Sequence, residues 1–330
     1  MKIGLLYEHT SEPWGGINAF FRNFARQLSS ETRWQLSSNL TAADIVLSAG
    51  HYRGPGKLLK TSHLKNISSG RWMHHPLGLI HSRKLKKIVF RLDGIRSIYS
   101  GQSASTDSLL FGNLPYSDAV VFQSEFCRSS FDSMNVQYPG NHKTIINGAN
   151  PEVFYPREGV LALTNKLNVL TSSWSTNYNK GFELIARLSE QDDVDVNHVG
   201  HWPNDIGPRE VNLLGVKNEE EIADYLREAH FLFFPAVNEA CSNTVVESLA
   251  CGVPVIYMKS GGTEEIVGPS HGLGFEADDF DDASSTAGLM LRAREHYMES
   301  TEILRAHVPD YHFQETCRGY CEYFEEVLSF

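Results

Sequence analysis

FLFFPAVNEACSNTVVESLACGVPVIYMKSGGTEE, residues 231–265, is the stretch on which the fold turns. Its apolar run, 231–235, is too short to cross a membrane and is bounded by turn residues, the pattern of a fully buried parallel strand. Asn243 then stands where a helix N-cap belongs. Val246, Leu249 and Ala250 supply an apolar stripe at three-four spacing, and Gly252 with Pro254 ends the helix. Residues 255–258 return as a second buried strand. Strand, polar loop, helix and strand in this order place the loop at the carboxyl end of a parallel sheet, where open α/β folds hold their ligands.

Two acids mark that loop and helix, Glu239 and Glu247, in an E-x7-E spacing. Between them the backbone amides of Ser242, Asn243 and Thr244 fall at the predicted helix N-terminus, where unsatisfied donors and the helix dipole favour a phosphate. An anion seat flanked by two acids suits a nucleotide sugar: the amides take the diphosphate, and the carboxylates accept hydrogen bonds from sugar and ribose hydroxyls. The spacing alone fits equally well a loop charge and a solvated helix face.

The stretch NEACSNTVVESLACGVPVIYMKSGGTEE resembles the signature of the retaining family-4 glycosyltransferases, which carry E-x7-E, then E-(A/S)-x-A-C-G-x-P-V, then G-G-x-x-E. Here these are Glu239 and Glu247, residues 247–255, and Gly261, Gly262 and Glu265. The resemblance implies the GT-B fold: two Rossmann-like doubly wound parallel-sheet domains facing a cleft, with a C-terminal helix crossing back to the first domain. It places Glu239 by the donor sugar and Glu247 on the ribose. This chain departs from the pattern between the acids, where 240–244 read Ala-Cys-Ser-Asn-Thr in place of a glycine-rich filling.

At 330 residues and 41% hydrophobic composition the chain is long enough for two domains with cores of ordinary size. It has no run of eighteen apolar residues, and residues 2–6 begin a strand at once without a signal peptide's apolar segment, which predicts a cytoplasmic location. Five cysteines without a CxxC pair fit a reduced compartment. Residues 1–155 hold 17 Lys and Arg against 10 Asp and Glu; residues 156–330 hold 12 against 30. The basic excess gathers in Arg83, Lys84, Lys86, Lys87, Arg91 and Arg96, with Arg53, Lys57, Lys60, Lys65 and Arg71 upstream. A positive first half suits an anionic acceptor or peripheral contact with an anionic membrane, and also fits a solvated helix face. The acidic whole and the lack of a reading motif argue against nucleic acid, and none is expected as a partner.

The first half repeats the α/β alternation: strands at 3–7, 44–47, 88–92, 120–122 and 144–146, a helix with the stripe Ile17, Phe20, Phe21, Phe24, Ala25 and Leu28, and another helix after Ser124. Trp14-Gly15-Gly16 is not the G-x-G-x-x-G fingerprint of a dinucleotide oxidoreductase. It resembles the glycine pair that family-4 enzymes place after their first strand, where bare backbone approaches the donor phosphates. Asp93, followed by Gly94, stands where the family carries a His or Asp that touches donor sugar or acceptor; a turn-forming Asp-Gly explains it too. His74, His75 and His81 lack a partner acid or cysteine at ligand spacing, so a loop cluster or an acceptor-site lining is favoured over zinc.

Gly148-Ala149-Asn150-Pro151, with Phe154 and Pro156, resembles the family's interdomain linker. This predicts an acceptor-binding domain over 1–155, completed by a helix at 312–330, and a donor-binding domain over 156–311. In the second domain a strand at 168–172 leads to Lys180-Gly181. The family holds the leaving diphosphate with this Lys and with an Arg a few residues earlier; Ser173 and Ser175 occupy the Arg positions here, so hydroxyls replace a cation. Gly200 and Gly215 fall on the family's base-binding edge.

The resulting expectation is a retaining transferase that moves a hexose-type sugar from a nucleotide-diphosphate donor to a hydroxyl of a glycan, lipid-linked sugar or small molecule. Glu239, Lys180 and Asp93 are the catalytic candidates, and Gly15, Gly16, Lys180, Ser242, Asn243, Thr244 and Glu247 the donor-binding ones, with no cofactor and no essential metal. A nucleotide-sugar epimerase of the same fold and a non-catalytic nucleotide-sugar-binding protein are the alternatives.

Overall fold

The computed structural model describes residues 1–11, 15–29, 33–68, 86–100 and 105–329, with only the backbone of Thr41, Asn66 and Ser68. The chain divides into two compact units. Unit 1 comprises Met1–Ser97, Gln102–Ile145 and Thr316–Phe330; unit 2 comprises Ile98–Gly101 and Ile146–Glu315. The crossing into unit 2 thus falls ahead of the boundary expected near residue 156.

In chain order, unit 1 opens with β1 (Lys2–Leu5), α1 (Gly15–Leu28), β2 (Gln35–Ser37) and β3 (Ile45–Ser48). A hairpin of β4 (Tyr52–Gly54) and β5 (Lys57–Leu58) and helix α2 (Thr61–Ser68) follow. Then come β6 (Lys87–Leu92), α3 (Arg96–Ser100), α4 (Ser105–Asn113), β7 (Ala119–Phe122), α5 (Glu125–Ser133) and β8 (His142–Thr144). Its six-stranded sheet runs β2-β1-β3-β6-β7-β8, parallel throughout. The winding direction reverses between β1 and β3, so the loop that leads to Gly15 and Gly16 leaves the sheet at a topological switch point.

Unit 2 begins with β9 (Leu167–Ser173), α6 (Phe182–Leu188), β10 (Val194–Gly200), β11 (Asn212–Gly215) and α7 (Glu219–Arg227). It continues through β12 (Phe231–Phe234), α8 (Asn243–Ala250), β13 (Val255–Met258), α9 (Thr263–Val267), β14 (Gly272–Phe275) and α10 (Ala283–His307). Its sheet, β11-β10-β9-β12-β13-β14, is again parallel and reverses between β9 and β12. The run 231–235 is the buried strand its composition predicts. Phe231 and Phe233 pack with Phe182, Ile185 and Tyr297 on one face, while Leu232 and Phe234 pack with Val246, Leu249 and Ala250 on the other. Each buried Phe contributes about 1.5–3 kcal/mol of transfer free energy, and the alternation ties the sheet to both helix layers.

The last helix, α11 (Phe313–Ser329), starts in unit 2 and from Thr316 belongs to unit 1. Its residues Tyr320 and Phe324, four apart, meet Phe20 and Phe24, four apart on α1; Tyr320 stands 5.3 Å from Phe20 and Phe324 5.8 Å from Trp34. Where the chain leaves for unit 2 and where it returns, the backbones are joined: Ala149 N–H donates to Tyr311 O and Phe313 N–H to Ala149 O, both at 2.8 Å. Among the described residues no helix is long and apolar enough to cross a membrane.

A buried histidine gives unit 2 a pH signature. His198 is 1% exposed. Its Nδ1 accepts from Thr171 Oγ1 at 2.7 Å and its Nε2–H donates to His201 O at 3.1 Å, fixing the neutral tautomer. Burial holds its pKa down at about 4, and His51 in unit 1 is held at about 4 for the same reason. Because the unfolded imidazole titrates near 6.5, each contributes stability that is complete above about pH 6.5 and lost as pH falls toward 4, about 3 kcal/mol apiece. Thermal unfolding followed from pH 7 to 4 is expected to show this slope, and His198→Asn to remove the share of His198; a slope unchanged in that variant would refute the assignment.

Candidate functional site

The reversal between β9 and β12 sets the loops after these two strands apart, and they carry Lys180 and Glu239. Residues Tyr178–Lys180 form a 3-10 turn capped by Asn177 Oδ1, which accepts from Asn179 N at 3.1 Å. Gly181 then adopts φ +74°, and a Cβ there would lie 2.8 Å from Pro235, so only glycine lets this turn press against the end of β12. Val237 N–H donates to Asn179 O at 2.8 Å and ties the loops together. The result is an ion pair: Lys180 Nζ stands 2.5 Å from Glu239 Oε2, with the side chains 19% and 21% exposed.

Glu239 is held by its backbone as well. The preceding Asn238 takes φ +57°, a conformation Asn tolerates, and its N–H donates to Ser260 Oγ at 3.0 Å. Gly262 N–H donates to Glu239 O at 2.8 Å. Gly261, at φ +69°, packs so closely that a Cβ would sit 2.4 Å from Glu239 O and 2.7 Å from Glu239 N. The Gly-Gly motif is therefore the floor on which the backbone of Glu239 rests, a link that spacing in the sequence does not disclose.

The N-terminus of α8 differs from expectation in one detail. Ser242, buried and extended at φ −81° and ψ 123°, is the N-cap, and its side chain makes no capping bond. Asn243 is instead the first helical residue, with Oδ1 accepting from Asn147 Nδ2 at 2.9 Å. The Asn side chain is drawn to the linker. Asn147, one residue ahead of the linker motif, went unnoticed in the sequence. Thr244 and Glu247 are half-buried in the same helix. The serines that stand in for the missing Arg are engaged within their loop: Ser173 Oγ donates to Ser175 O at 2.6 Å, and Ser175 Oγ accepts from Asn177 N at 3.1 Å. They shape the turn that delivers Lys180, and the Ser173 hydroxyl proton is not offered to a ligand.

The remaining candidates lie in unit 1. Gly15, at φ +71°, and Gly16 open α1, and the loop before them is pinned by Asn18, which exchanges two 2.9 Å hydrogen bonds with the backbone of Thr10. Asp93 follows β6. Gly94, at φ +102°, makes the turn, while the Asp93 carboxylate reaches away from it: Oδ1 accepts from the side chains of Arg91 and Gln123. The basic residues are partly neutralised where they stand, since Arg53 and Lys57 pair with Glu8, Lys87 with Asp118 and Arg91 with Asp93. Trp14, Arg71, His74, His75, His81, Arg83 and Lys84 lie outside the described residues. Among the described residues no group of three or more His, Cys, Asp or Glu side chains could hold a metal ion.

Residues 180–292 match the family described as Glycosyl transferases group 1. The matched segment opens on Lys180 and contains Glu239, the start of α8, Glu247 and the Gly261-Gly262 floor. A curated relative, the phosphatidylinositol N-acetylglucosaminyltransferase gpi3 subunit of Schizosaccharomyces pombe, is 25% identical over 224 residues, or 63% of this chain and 48% of that protein. The chain thus spans about half the length of this relative. Among solved structures, sucrose-phosphate synthase from Thermosynechococcus elongatus aligns with a TM-score of 0.69 at 16% identity over 99% of both chains. Anabaena HepE in complex with UDP-glucose aligns with a TM-score of 0.68 at 14% identity over 100% of both. The two doubly wound units are those of the GT-B fold, as the sequence led one to expect.

Proposed function

We propose that the chain is a glycosyltransferase that moves a hexose-type sugar from a nucleotide-diphosphate donor to an acceptor hydroxyl with retention at the anomeric carbon. The observation that carries this reading is the Lys180–Glu239 pair, at the sheet reversal of unit 2, in the same segment as a helix N-terminus without a side-chain cap. The group 1 match over this segment supports it, as do the transferase activity named for the fission-yeast relative and the UDP-glucose bound by HepE.

In this reading the bond between the anomeric carbon and the diphosphate breaks, and the acceptor oxygen bonds to the same face of the sugar while its proton passes to the departing phosphate. Lys180, the amides of Ser242, Asn243 and Thr244, and the backbone at Gly15 and Gly16 stabilise the charge that develops on the diphosphate, without calling on a metal. Glu239 holds sugar hydroxyls, Glu247 fixes the ribose, and Asp93 orients the acceptor hydroxyl. The acceptor is a glycan, a lipid-linked sugar or a small molecule, and the basic residues of the first half offer peripheral contact with an anionic membrane.

Thermal-shift titration of UDP, GDP, ADP and TDP, each with Mg²⁺ and with a chelator, tests the donor half. A nucleotide at a hundred times its dissociation constant adds about 2.7 kcal/mol to the unit that binds it. One nucleotide is expected to raise Tm in the chelator as well as in Mg²⁺. Glu247→Ala, which removes a charged hydrogen bond to the ribose, is expected to weaken that nucleotide about 10–100-fold. Failure of all four to stabilise the protein would end the transferase reading, and an inverted anomer in the product would end the retaining one. Donor conversion without release of nucleoside diphosphate would point to an epimerase.

A further inference from the structure

We infer that Arg91 is a positioning residue for the acceptor side of the transfer: it fixes Asp93 so that the protein holds one carboxylate oxygen and the other is left for a sugar hydroxyl. The inference rests on the assignment of Asp93 to the acceptor made above.

Arg91 is 1% exposed, and a buried guanidinium is tolerated only when it is paired. It stands two residues before Asp93 at the end of β6, and its guanidinium bonds Asp93 Oδ1. From the other side it lies over the Phe20 ring, 4.1 Å from the centroid. Phe20 is wedged between Phe24 at 5.7 Å and Tyr320 at 5.3 Å, so the base beneath Arg91 is built from two helices. Gln123 follows β7, the neighbouring strand, and its Nε2 donates to Leu92 O at 3.3 Å and to the same Asp93 Oδ1.

A purely structural Arg–Asp pair commonly engages both carboxylate oxygens in a fork. Here two donors converge on Oδ1, while Oδ2 is buried and has no hydrogen-bond partner among the described residues. An enclosed carboxylate oxygen without a donor is costly, and a site that leaves one so is built to receive a donor from outside the chain. The Asp93 side chain as a whole is 17% exposed while Oδ2 itself is enclosed, so the carboxylate lies just beneath the surface at the end of β6. A hydroxyl supplies the required O–H. A carboxylate whose charge is already met by a guanidinium orients that hydroxyl and does not strip its proton.

The test compares transfer to methyl hexopyranosides with hydrolysis by water, using UDP-glucose, GDP-mannose, ADP-glucose and TDP-glucose as donors, for wild type, Arg91→Lys and Gln123→Leu. Lysine keeps the charge and loses the planar fork. Arg91→Lys is expected to raise the acceptor KM and lower kcat for transfer, each about tenfold, while hydrolysis and nucleotide affinity stay within about twofold. Gln123→Leu is expected to move the same ratio in the same direction by about threefold; it keeps the buried cation and so reads the effect if Arg91→Lys does not fold. Equal losses in transfer and hydrolysis, or an unchanged acceptor KM in both variants, would show a structural pair and overturn the inference. Wild-type hydrolysis with no transfer to any glycoside would overturn the sugar-hydroxyl assignment. If wild type consumes none of the donors, the transferase reading itself fails and this inference falls with it.

Discussion

Glu239→Gln is expected to lower kcat by about a hundredfold to a thousandfold, while nucleoside diphosphate binding becomes tighter, by up to about fivefold. The two effects have opposite signs because Glu239 has two jobs. In the unliganded protein it neutralises Lys180 at 2.5 Å, and a diphosphate must compete for that ammonium. A pair with its side chains 19% and 21% exposed is worth about 1 kcal/mol, and removing the acid's charge returns that to the phosphate. In the reacting complex the same carboxylate holds the sugar as positive charge grows on its ring, and glutamine cannot answer that charge. Lys180→Ala is expected to lower kcat to a similar extent and to weaken nucleotide binding as well. Steady-state kinetics combined with UDP titration separates the cases; parallel losses of kcat and UDP affinity in Glu239→Gln would refute the competition.

Gly261→Ala is expected to lower kcat/KM by about a hundredfold or more with the fold retained by circular dichroism, although the residue contacts no substrate in the proposed mechanism. The added Cβ would meet backbone at 2.4 and 2.7 Å, and backbone cannot rotate away as a side chain can. Either Glu239 or residues 260–262 must shift, and a displacement of the carboxylate by about 1 Å is enough for a loss of this size. Gly268→Ala is the control. Gly268 also has a positive φ, +67° with ψ 172°, a conformation essentially reserved for glycine, but its Cβ would meet nothing within 4 Å. Alanine there should lose about 1–3 kcal/mol of stability and no activity. Similar activity losses in the two variants would mean that backbone strain, not displacement of Glu239, is responsible.

The parts of this molecule legible in the sequence are those in which one local rule decides the outcome. The run 231–235 could only be a strand buried on both faces, and the stripe on α1 could only be one face of a helix. Glu239 and Lys180 stand 59 positions apart, each marked by its own motif, and nothing in either neighbourhood shows that they touch. Their meeting depends on strand order, because β9 and β12 are neighbours only through the reversal of the sheet. The N-cap falls on Ser242, one residue before the position its sequence predicts, because the good capping side chain of Asn243 is engaged by Asn147, 96 positions away. Helix α10 gives no clear apolar stripe: its buried positions follow three-four spacing, but Thr286, Ser300 and Thr301 fill several of them. That the Ser173 hydroxyl turns back onto Ser175 O is a hydrogen bond within the loop after β9, which composition does not disclose.

The aromatic seam of Tyr320 and Phe324 against Phe20, Phe24 and Trp34 bears on how the protein is made. Unit 1 is discontinuous and closes around partners about 300 positions apart, whereas residues 146–315 of unit 2 form one uninterrupted stretch. On a ribosome, unit 2 has nearly all of its own residues in hand before the final helix emerges. Unit 1 must wait with Phe20, Phe24 and Trp34 uncovered, an apolar surface that other chains or chaperones can reach until residues 316–329 have emerged. A fragment cut at residue 145 would stay in that waiting state.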